Sequence, residues 1–397
     1  MSSQRRADLA FAMAIAAGLL FIGLFGPLER RLEMAHTNDF SGFWAAGRAV
    51  DLGVDPYDAA QWGRVASQVG WSAPTSDTSV PNYLPWAMLL LAGVALLPLD
   101  IAAWVWMLVG LAAATMGLRA LLRAYLPGRA LEHGAFGAAL FLGQPTYHAL
   151  VLGQWSPLLL GALAALVLAL RASRPLRAAV ASLLFLAKPQ LFVFTAVGLA
   201  HGALSDRVFR RAVMLAILLA VAAIAIGWLA FPNWLGPWLS EIPGARTSRS
   251  AVLPSAGNEL FGTVGRVAAY ALILGGALLA MRFPSATDAS LAVWLSLSVA
   301  GAIYSWSYDQ VLLLVPLVIA AGVLARRGDT RAARALAVGS ALTFMFVSPA
   351  LYLFAVSRHD ETFSVVTPLV AFVAIVALLW RDGAIDAGGA RGGTSAG

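Results

Sequence analysis

Apolar residues form long runs along this chain, and short polar connections separate most of the runs. About twelve runs can be counted, and many approach the ~20 residues that an α-helix needs to cross a bilayer. They lie near 8–28, 84–98, 101–123, 131–150, 155–171, 176–202, 207–230, 259–281, 286–303, 308–325, 332–356 and 363–380. The pattern predicts an all-α, polytopic membrane protein with about twelve hydrophobic helices in a single integral-membrane domain over residues 1–380.

Two long polar stretches, 29–83 and 231–257, interrupt this series of apolar runs. We expect both to be extracytoplasmic loops, because the basic N-terminus predicts a cytoplasmic start of the chain. The Gly-rich tail, 381–397, is predicted to be a disordered cytoplasmic segment.

The first polar stretch contains signals for two short helices. Asp39 precedes a segment over 40–52 with several apolar positions, and Gly53 follows it. Asp at a helix start and Gly just past its end are common capping residues, so an amphipathic helix is predicted here. A second short helix is expected from Asp55 toward Val69, with a proline at its first position. Helices of this kind lie on a membrane surface.

The arginines complicate a simple count of crossings. Arg5 and Arg6 before the first apolar run predict a retained first helix with its N-terminus in the cytoplasm. Twelve simple crossings also place the arginines near 326–334 inside, but they place another group outside, against the positive-inside tendency. That group is Arg119, Arg123, Arg129, Arg171, Arg174 and Arg177. The conflict is removed if one segment within 84–118 and another around Lys188 are re-entrant, and this arrangement also carries Gln154 to the outer side. Both arrangements remain open at this point, so the number of crossings is not fixed.

Composition narrows the class of protein further. Hydrophobic residues make up 60% of the chain and charged residues 12%, with a mean hydropathy of +0.78, which excludes a soluble globular domain. The absence of cysteine excludes disulfides and thiolate metal sites. The net charge of +7 comes from arginines at segment ends, which indicates contact with membrane lipids and not with nucleic acid. No nucleotide-binding or metalloprotease motif and no compact acidic cluster is present, so we expect no cofactor and no metal.

Lys188 is the only lysine, and it interrupts an apolar run. A cation at membrane depth costs at least a few kcal/mol, so it usually faces a cavity or an anion. Pro189 breaks the helix beside it, and Gln190 adds a polar amide. These residues predict a membrane-embedded site for a negatively charged group. The alternative is that the Lys188 side chain reaches out to the interface.

Other polar residues at segment starts have two interpretations each. Asp39 is either a carboxylate that deprotonates a substrate hydroxyl or a helix cap. Gln154 is either a polar cap or a hydrogen-bond donor in a pocket, and for Asn258 capping is the simpler explanation. His148 is expected to be a packed or interfacial histidine. Asp309, after Tyr308, also opens a segment.

An ordered set of short motifs carries a resemblance to a known family. The motifs are Asp39-Phe40, Ala45-Ala46, Gly53 with Asp55-Pro56-Tyr57-Asp58, Tyr83-Leu84-Pro85, Gly143-Gln144-Pro145-Thr146, Gly153-Gln154, Lys188-Pro189-Gln190, Asn258 and Tyr308-Asp309. Over residues 37–320 the chain resembles glycosyltransferase family 87, membrane mannosyltransferase-like proteins of the GT-C type that use polyprenyl-phosphate sugars. It departs from the family at Leu84, where a second proline is common.

The resemblance implies a sugar donor linked to a polyprenyl monophosphate, a lipid or glycan acceptor, and metal-independent transfer on the extracytoplasmic side of the plasma membrane. It implies that Asp39 is the catalytic base of an inverting displacement of a hexose, with mannose expected. We expect Lys188 to bind the donor phosphate. The residues expected to bind substrate are Gln154, Gln190, Asn258, Asp309 and Tyr83.

Two rival functions remain open at this point. A transporter or flippase of a lipid-linked or anionic substrate also explains a buried lysine at a broken helix. A non-catalytic protein that binds lipid carriers is the other. A cavity bordered by both Asp39 and Lys188 favours the enzyme, and a transfer assay separates it from the carrier-binding protein.

Overall fold

The structure, a computed structural model, describes residues 1–25, 39–68, 83–241, 249–358 and 360–381. The regular structure in these ranges is entirely helical, which confirms the all-α class. The predictions for most of the first polar stretch, for 242–248 and for the tail after 381 fall outside the described residues.

The α-helices are Ser3–Phe25, Asp39–Asp51, Ala59–Gln68, Pro85–Ala95, Leu99–Tyr125, Ala130–Phe141, Gln144–Leu152, Ser156–Arg171, Pro175–Leu183, Val193–Ser205, Arg207–Ala230, Leu235–Glu241, Leu253–Ala280, Asp288–Ala300, Leu314–Arg326, Thr330–Leu342, Ser348–Arg358 and Val366–Arg381. Short 3₁₀ segments are Leu184–Ala187, Pro189–Leu191, Ser307–Leu313 and Thr362–Val365, and Thr343–Val347 is a π-helical turn.

Six helices in the described ranges are long and apolar enough to cross a membrane, or seven if one bent pair is a single span. They are Leu99–Tyr125, Arg207–Ala230, Leu253–Ala280, Ser307–Arg326, Thr330–Arg358 and Thr362–Arg381. Several predicted runs are instead short apolar helices, such as the 11-residue Pro85–Ala95. The chain is thus a multi-pass membrane protein, and the expected number of about twelve hydrophobic helices is not confirmed. A helix occurs at Asp39–Asp51, as expected, and the second one is Ala59–Gln68. The second helix begins at Ala59 and not at Pro56, because the Asp58 carboxylate accepts hydrogen bonds from the Ala60 and Gln61 amides and so caps it. The position of both helices on a membrane surface remains a prediction.

Most of the described arginines gather at one end of the molecule, here called the arginine-rich end. The first and the last described helices contribute to it: Arg123 binds Asp8 at 3.0 Å, and Arg381 binds Asp329. The arginines of this end are Arg5, Arg6, Arg119, Arg123, Arg129, Arg171, Arg174, Arg177, Arg207, Arg210, Arg211, Arg282, Arg326, Arg327, Arg331, Arg334 and Arg381.

Asp288 joins several helix ends there. Its carboxylate accepts hydrogen bonds from Arg171 at 3.2 Å, Arg326 at 2.6 Å and the Tyr125 hydroxyl at 2.7 Å. Four segments that are far apart in sequence therefore end at the same level of the bundle.

Three helical hairpins start and finish at the arginine-rich end. The first hairpin, residues 130–171, consists of Ala130–Leu152 and Ser156–Arg171, bent by 116° at the break between them. The second hairpin, 175–205, begins just after Arg171 and ends where Ser205 hydrogen-bonds Ser285 at 2.6 Å. The third hairpin, 288–326, closes through the ion pair of its two terminal residues.

The tips of the three hairpins lie toward the opposite end, here called the site end. There the Ala251 amide donates to the Ser305 carbonyl at 2.8 Å, and the Glu361 amide to the Arg249 carbonyl at 3.1 Å. The helix Arg207–Ala230 runs from one end to the other and, at 24 residues, is about 36 Å long.

The hairpins explain why twelve simple crossings conflict with the arginine distribution. The arginines of 119–129 and 171–177 lie with those of 326–334 because the chain returns to its starting end after each hairpin. The hairpin 175–205 agrees with the re-entrant segment expected around Lys188. Within 84–118, where the other re-entrant segment was expected, the structure has the short helix Pro85–Ala95 and part of the candidate span Leu99–Tyr125. The first hairpin, at 130–171, is what carries Gln154 to the end that is poor in arginine.

Candidate active site

The catalytic candidate Asp39 meets Gln154 at the tip of the first hairpin. The side-chain amide nitrogen of Gln154 donates a hydrogen bond to Oδ2 of Asp39. Asp39 lies in the first turn of its helix, and Gln154 follows Gly153, whose φ of +68° turns the chain sharply after Leu152. Gln154 is buried, and its Oε1 has no partner among the described residues. The contact joins residues 115 positions apart, so the fold creates it and local sequence does not.

An aromatic cluster packs behind this contact. Trp106 and Trp155 meet edge to face at 4.7 Å between ring centroids, and Phe43 and Tyr83 meet in the same way at 4.8 Å. The Trp106 indole also donates to the Gly153 carbonyl at 2.8 Å, which fixes the turn before Gln154. Tyr83, one of the expected substrate residues, therefore lies next to the Asp39 helix.

Lys188 forms a buried ion pair with Asp309. Its Nζ is 2.9 Å from Oδ1 of Asp309, and the two side chains are 6% and 2% exposed. The same oxygen accepts a hydrogen bond from the Ser156 hydroxyl at 2.5 Å, and Oδ2 accepts one from the Trp306 amide at 3.1 Å. The interpretation that Lys188 reaches out to the interface is wrong, because its charge is buried. The anion that it faces in this structure is a carboxylate of the chain itself.

Tyr308 lies between the Asp39–Gln154 contact and the Lys188–Asp309 ion pair. The Lys188 ammonium is 4.5 Å from the centre of the Tyr308 ring, a cation–π contact. The Tyr308 hydroxyl is close enough to Asp39 and to Tyr83 for electrostatic interaction. Asp39, Gln154, Lys188, Asp309 and Tyr83 thus belong to one region at the hairpin tips.

A second polar network borders this region. The Ser307 hydroxyl lies 3.1 Å from Nδ1 of His148 and 3.3 Å from the Gln144 amide, and the Ser348 hydroxyl donates to Gln144 at 2.8 Å. The Ser307 amide donates to Glu361 at 2.7 Å. Burial raises the pKa of the Glu361 carboxyl, and the Ser307 hydrogen bonds only partly counteract that rise. His148 is buried against Tyr352, with ring centroids 4.5 Å apart, in agreement with a packed histidine.

Two expected substrate residues do not join the buried cluster. Asn258 is exposed and lies inside the helix Leu253–Ala280, so it does not cap it. Gln190 is half-buried, two residues from Lys188 in a 3₁₀ turn. Neither side chain has a hydrogen-bond partner in the part of the chain that the structure describes.

Ser156 and Glu361 are site residues that sequence reasoning missed. Ser156 lies two positions after Gln154 and is a common residue type at a helix start, which hides its contact with Asp309. Glu361 lies in a short connection with no motif around it. In the described ranges no group of three or more His, Cys, Asp or Glu residues could hold a metal ion.

Comparison with known families decides the class. The model of glycosyltransferase family 87 matches residues 82–349, more than half of the chain. The chain belongs to glycosyltransferase family 87. The comparisons with curated proteins and with solved structures found no significant match.

Membership of family 87 makes this protein a membrane glycosyltransferase, with a sugar donor and an acceptor as substrates, and a transporter is not favoured. The matched range contains Tyr83, Gln154, Lys188, Asp309 and the two residues outside the cluster. Asp39 lies before the matched range, so its role must be argued from its contacts.

Proposed function

We propose that this family 87 protein transfers a hexose, expected to be mannose, from a polyprenyl-phosphate-sugar donor to a hydroxyl of a lipid or glycan acceptor. The observation that carries the proposal is the Asp39 carboxylate held by the Gln154 amide at the meeting point of the hairpin tips. Transfer takes place at the extracytoplasmic face of the plasma membrane.

Asp39 acts as the general base. As the acceptor oxygen attacks the anomeric carbon, its proton passes to the Asp39 carboxylate. The bond from the anomeric carbon to the phosphate oxygen breaks, and its electron pair leaves with the polyprenyl monophosphate. Attack from the face opposite the phosphate inverts the anomeric centre, with the same geometry as inverting glycoside hydrolysis but an alcohol in place of water.

Lys188 is proposed to stabilise the leaving phosphate. An ammonium group has three N–H donors, and the structure assigns one to Asp309. Asp309 retains the Ser156 hydroxyl and the Trp306 amide if Lys188 turns partly toward a phosphate. Charge that develops on a leaving phosphate is stabilised most strongly by a donor fixed in a water-poor site. Gln154, with its unpartnered Oε1, is proposed to bind a sugar hydroxyl, and Tyr83, Gln190 and Asn258 are the remaining proposed substrate contacts.

The distribution of charge supports the proposed side. Arginines concentrate at cytoplasmic loops in membrane proteins. The end that carries Arg123, Arg171 and Arg326 is therefore proposed to be cytoplasmic, together with both described chain ends. The hairpin tips and Asp39 then lie at the extracytoplasmic end, where lipid-linked donors and acceptors are accessible from the outer leaflet.

A transfer assay tests the proposal. Purified protein is incubated with a panel of polyprenyl-phosphate sugars and a membrane extract, and new glycoconjugates are identified by mass spectrometry. Asp39→Asn keeps the size of the side chain and its contact with Gln154 but removes the base, so turnover should fall by roughly two to four orders of magnitude. Near-normal turnover by Asp39→Asn, with donor binding intact, refutes the assignment of the base. Donor binding without transfer by the wild type supports the non-catalytic carrier-binding protein instead.

A further inference from the structure

The carboxylate of Asp309 is the point at which the tips of all three hairpins are joined. It belongs to the third hairpin, it accepts the Ser156 hydroxyl from the first at 2.5 Å, and it accepts the Lys188 ammonium from the second at 2.9 Å. Its other oxygen binds the Trp306 amide of its own tip. Asp309 is 1% exposed, and a carboxylate has about four lone-pair sites. Three of them are occupied by protein donors, which leaves little capacity for a sugar.

Each partner of Asp309 leads to a different half of the proposed reaction. Ser156 is two residues after Gln154, the residue that donates to Asp39. Lys188 is the proposed partner of the leaving phosphate. We propose that Asp309 is a positioning residue that sets the location of the Asp39–Gln154 pair relative to Lys188, and that it does not bind substrate itself. This inference rests on the proposed function.

The geometry favours positioning over simple charge neutralisation. Neutralising Lys188 would require one hydrogen bond, yet Oδ1 is shared between Lys188 and Ser156. At this level the three tips consist of 3₁₀ turns and breaks at Gly153, Lys188 and Trp306. Ser307 joins only the first and third tips, and Ser298 joins only the second and third. The Asp309 carboxylate contacts all three, so it can set their spacing at once.

The kinetic consequences differ for each partner. Ser156→Ala removes only the connection to Gln154, so kcat should fall by about 10- to 100-fold, the range of one hydrogen bond to a charged group, while the donor KM is unchanged. Lys188→Met should raise the donor KM and lower kcat, because Lys188 is proposed to stabilise the charge on the leaving phosphate. Asp309→Asn should do both. A variant with both Ser156→Ala and Asp309→Asn should have a kcat no lower than that of Asp309→Asn alone, because both changes disrupt the same connection.

Two further variants separate positioning from stability. Asp309→Leu combined with Lys188→Met removes both charges, so it should fold as well as the wild type, while hydrogen–deuterium exchange around 39 and 154 should stay raised. Asp288→Asn is the matched control, since Asp288 also joins several segments but lies at the arginine-rich end. Any loss of stability in Asp288→Asn should leave kcat unchanged at temperatures where the protein is folded.

The measurements are initial rates with a short-chain polyprenyl-phosphate mannose, thermal melting, and hydrogen–deuterium exchange of the peptides around 39 and 154. Exchange at these peptides should rise in Ser156→Ala and Asp309→Asn, and it should not rise in Asp288→Asn. Wild-type exchange around 39 and 154 in the double-neutral variant, or additive effects of Ser156→Ala and Asp309→Asn on kcat, would overturn the inference. Exchange does not depend on turnover: a wild type that transfers no sugar contradicts the proposed function, whereas unchanged exchange in Asp309→Asn contradicts the positioning role.

Discussion

Replacing Gly153 by alanine should damage both folding and catalysis, for reasons that can be separated. Gly153 has a φ of +68°, and a Cβ there would lie 2.5 Å from Cβ of Phe40 and 3.2 Å from its Cγ. A non-glycine residue in the left-handed region costs about 1–2 kcal/mol. Crowding a buried side chain costs about 1–3 kcal/mol more. The free energy of unfolding should therefore fall by about 2–5 kcal/mol.

Gly53 supplies a matched control with the same backbone strain. Its φ is +67°, but apart from its chain neighbours no atom of the described residues lies within 4 Å of the position of a Cβ. Gly53→Ala should lose only the conformational contribution, about 1–2 kcal/mol. The difference between the two variants measures the contact with Phe40.

The catalytic effect follows from the same contact. Phe40 is the residue after Asp39, and Gly153 precedes Gln154, so relief of the clash must separate the two halves of the hydrogen-bonded pair. A displacement of about 1 Å at a reacting group can cost about 100-fold in rate. Denaturation and transfer rates of both variants, measured at a temperature where each is folded, test the reasoning. Equal stability losses in the two variants, or wild-type turnover in Gly153→Ala, would show that this turn does not control the position of the base.

Three further outcomes are expected. Lys188→Met leaves the Asp309 carboxylate buried without its cation, so this variant should lower the free energy of unfolding by about 3–5 kcal/mol. Adding Asp309→Leu should restore the stability, and equal melting temperatures for the single and double variants would contradict the ion pair. The raised pKa of Glu361 means that the folded state holds the carboxyl proton more tightly than the unfolded chain does. Stability should therefore decline as the pH rises above 4.5, the ordinary pKa of a glutamate. Glu361→Gln should flatten that decline in melting curves taken across pH. Cysteines introduced at the exposed Ser240 and Thr330 of this cysteine-free chain should report its orientation in intact cells. A membrane-impermeant thiol reagent should label Ser240→Cys, and it should label Thr330→Cys only after lysis. The reverse pattern would invert the proposed side.

The sequence predicted the helical class and the buried charge of Lys188, because both depend on local composition. A charge inside an apolar run is visible without any knowledge of the fold. Its partner Asp309 is 121 residues away, and no local pattern indicates that pairing. From the sequence alone, Lys188 was interpreted as a cation that faces a negatively charged ligand, whereas in the structure the Asp309 carboxylate already neutralises its charge.

The number of crossings could not be predicted because hydropathy measures how apolar a segment is but not the direction in which it runs. The breaks at Gly153 and Lys188 were visible, yet a break inside one span and the turn of a hairpin look alike in a hydropathy profile. The arginine distribution contained the missing information, since it conflicted with twelve alternating crossings. The exposed position of Asn258 depends on the helix Leu253–Ala280, whose start at Leu253 the apolar run from 259 did not indicate.

The return of each hairpin to the arginine-rich end has a consequence for membrane insertion. A charged guanidinium is costly to move through hydrocarbon, and under the proposed orientation every hairpin keeps its flanking arginines on the side where the chain is synthesised. The long connections between Tyr125 and Arg207 and between Ala280 and Thr330 can thus enter the bilayer as loops of apolar helix. In the proposed orientation, the insertion machinery would translocate only the segments that precede Leu99 and Leu253 and the short one before Thr362. Gln154, Lys188 and Asp309 are in this way brought to the site end on hairpins whose flanking arginines stay at the arginine-rich end.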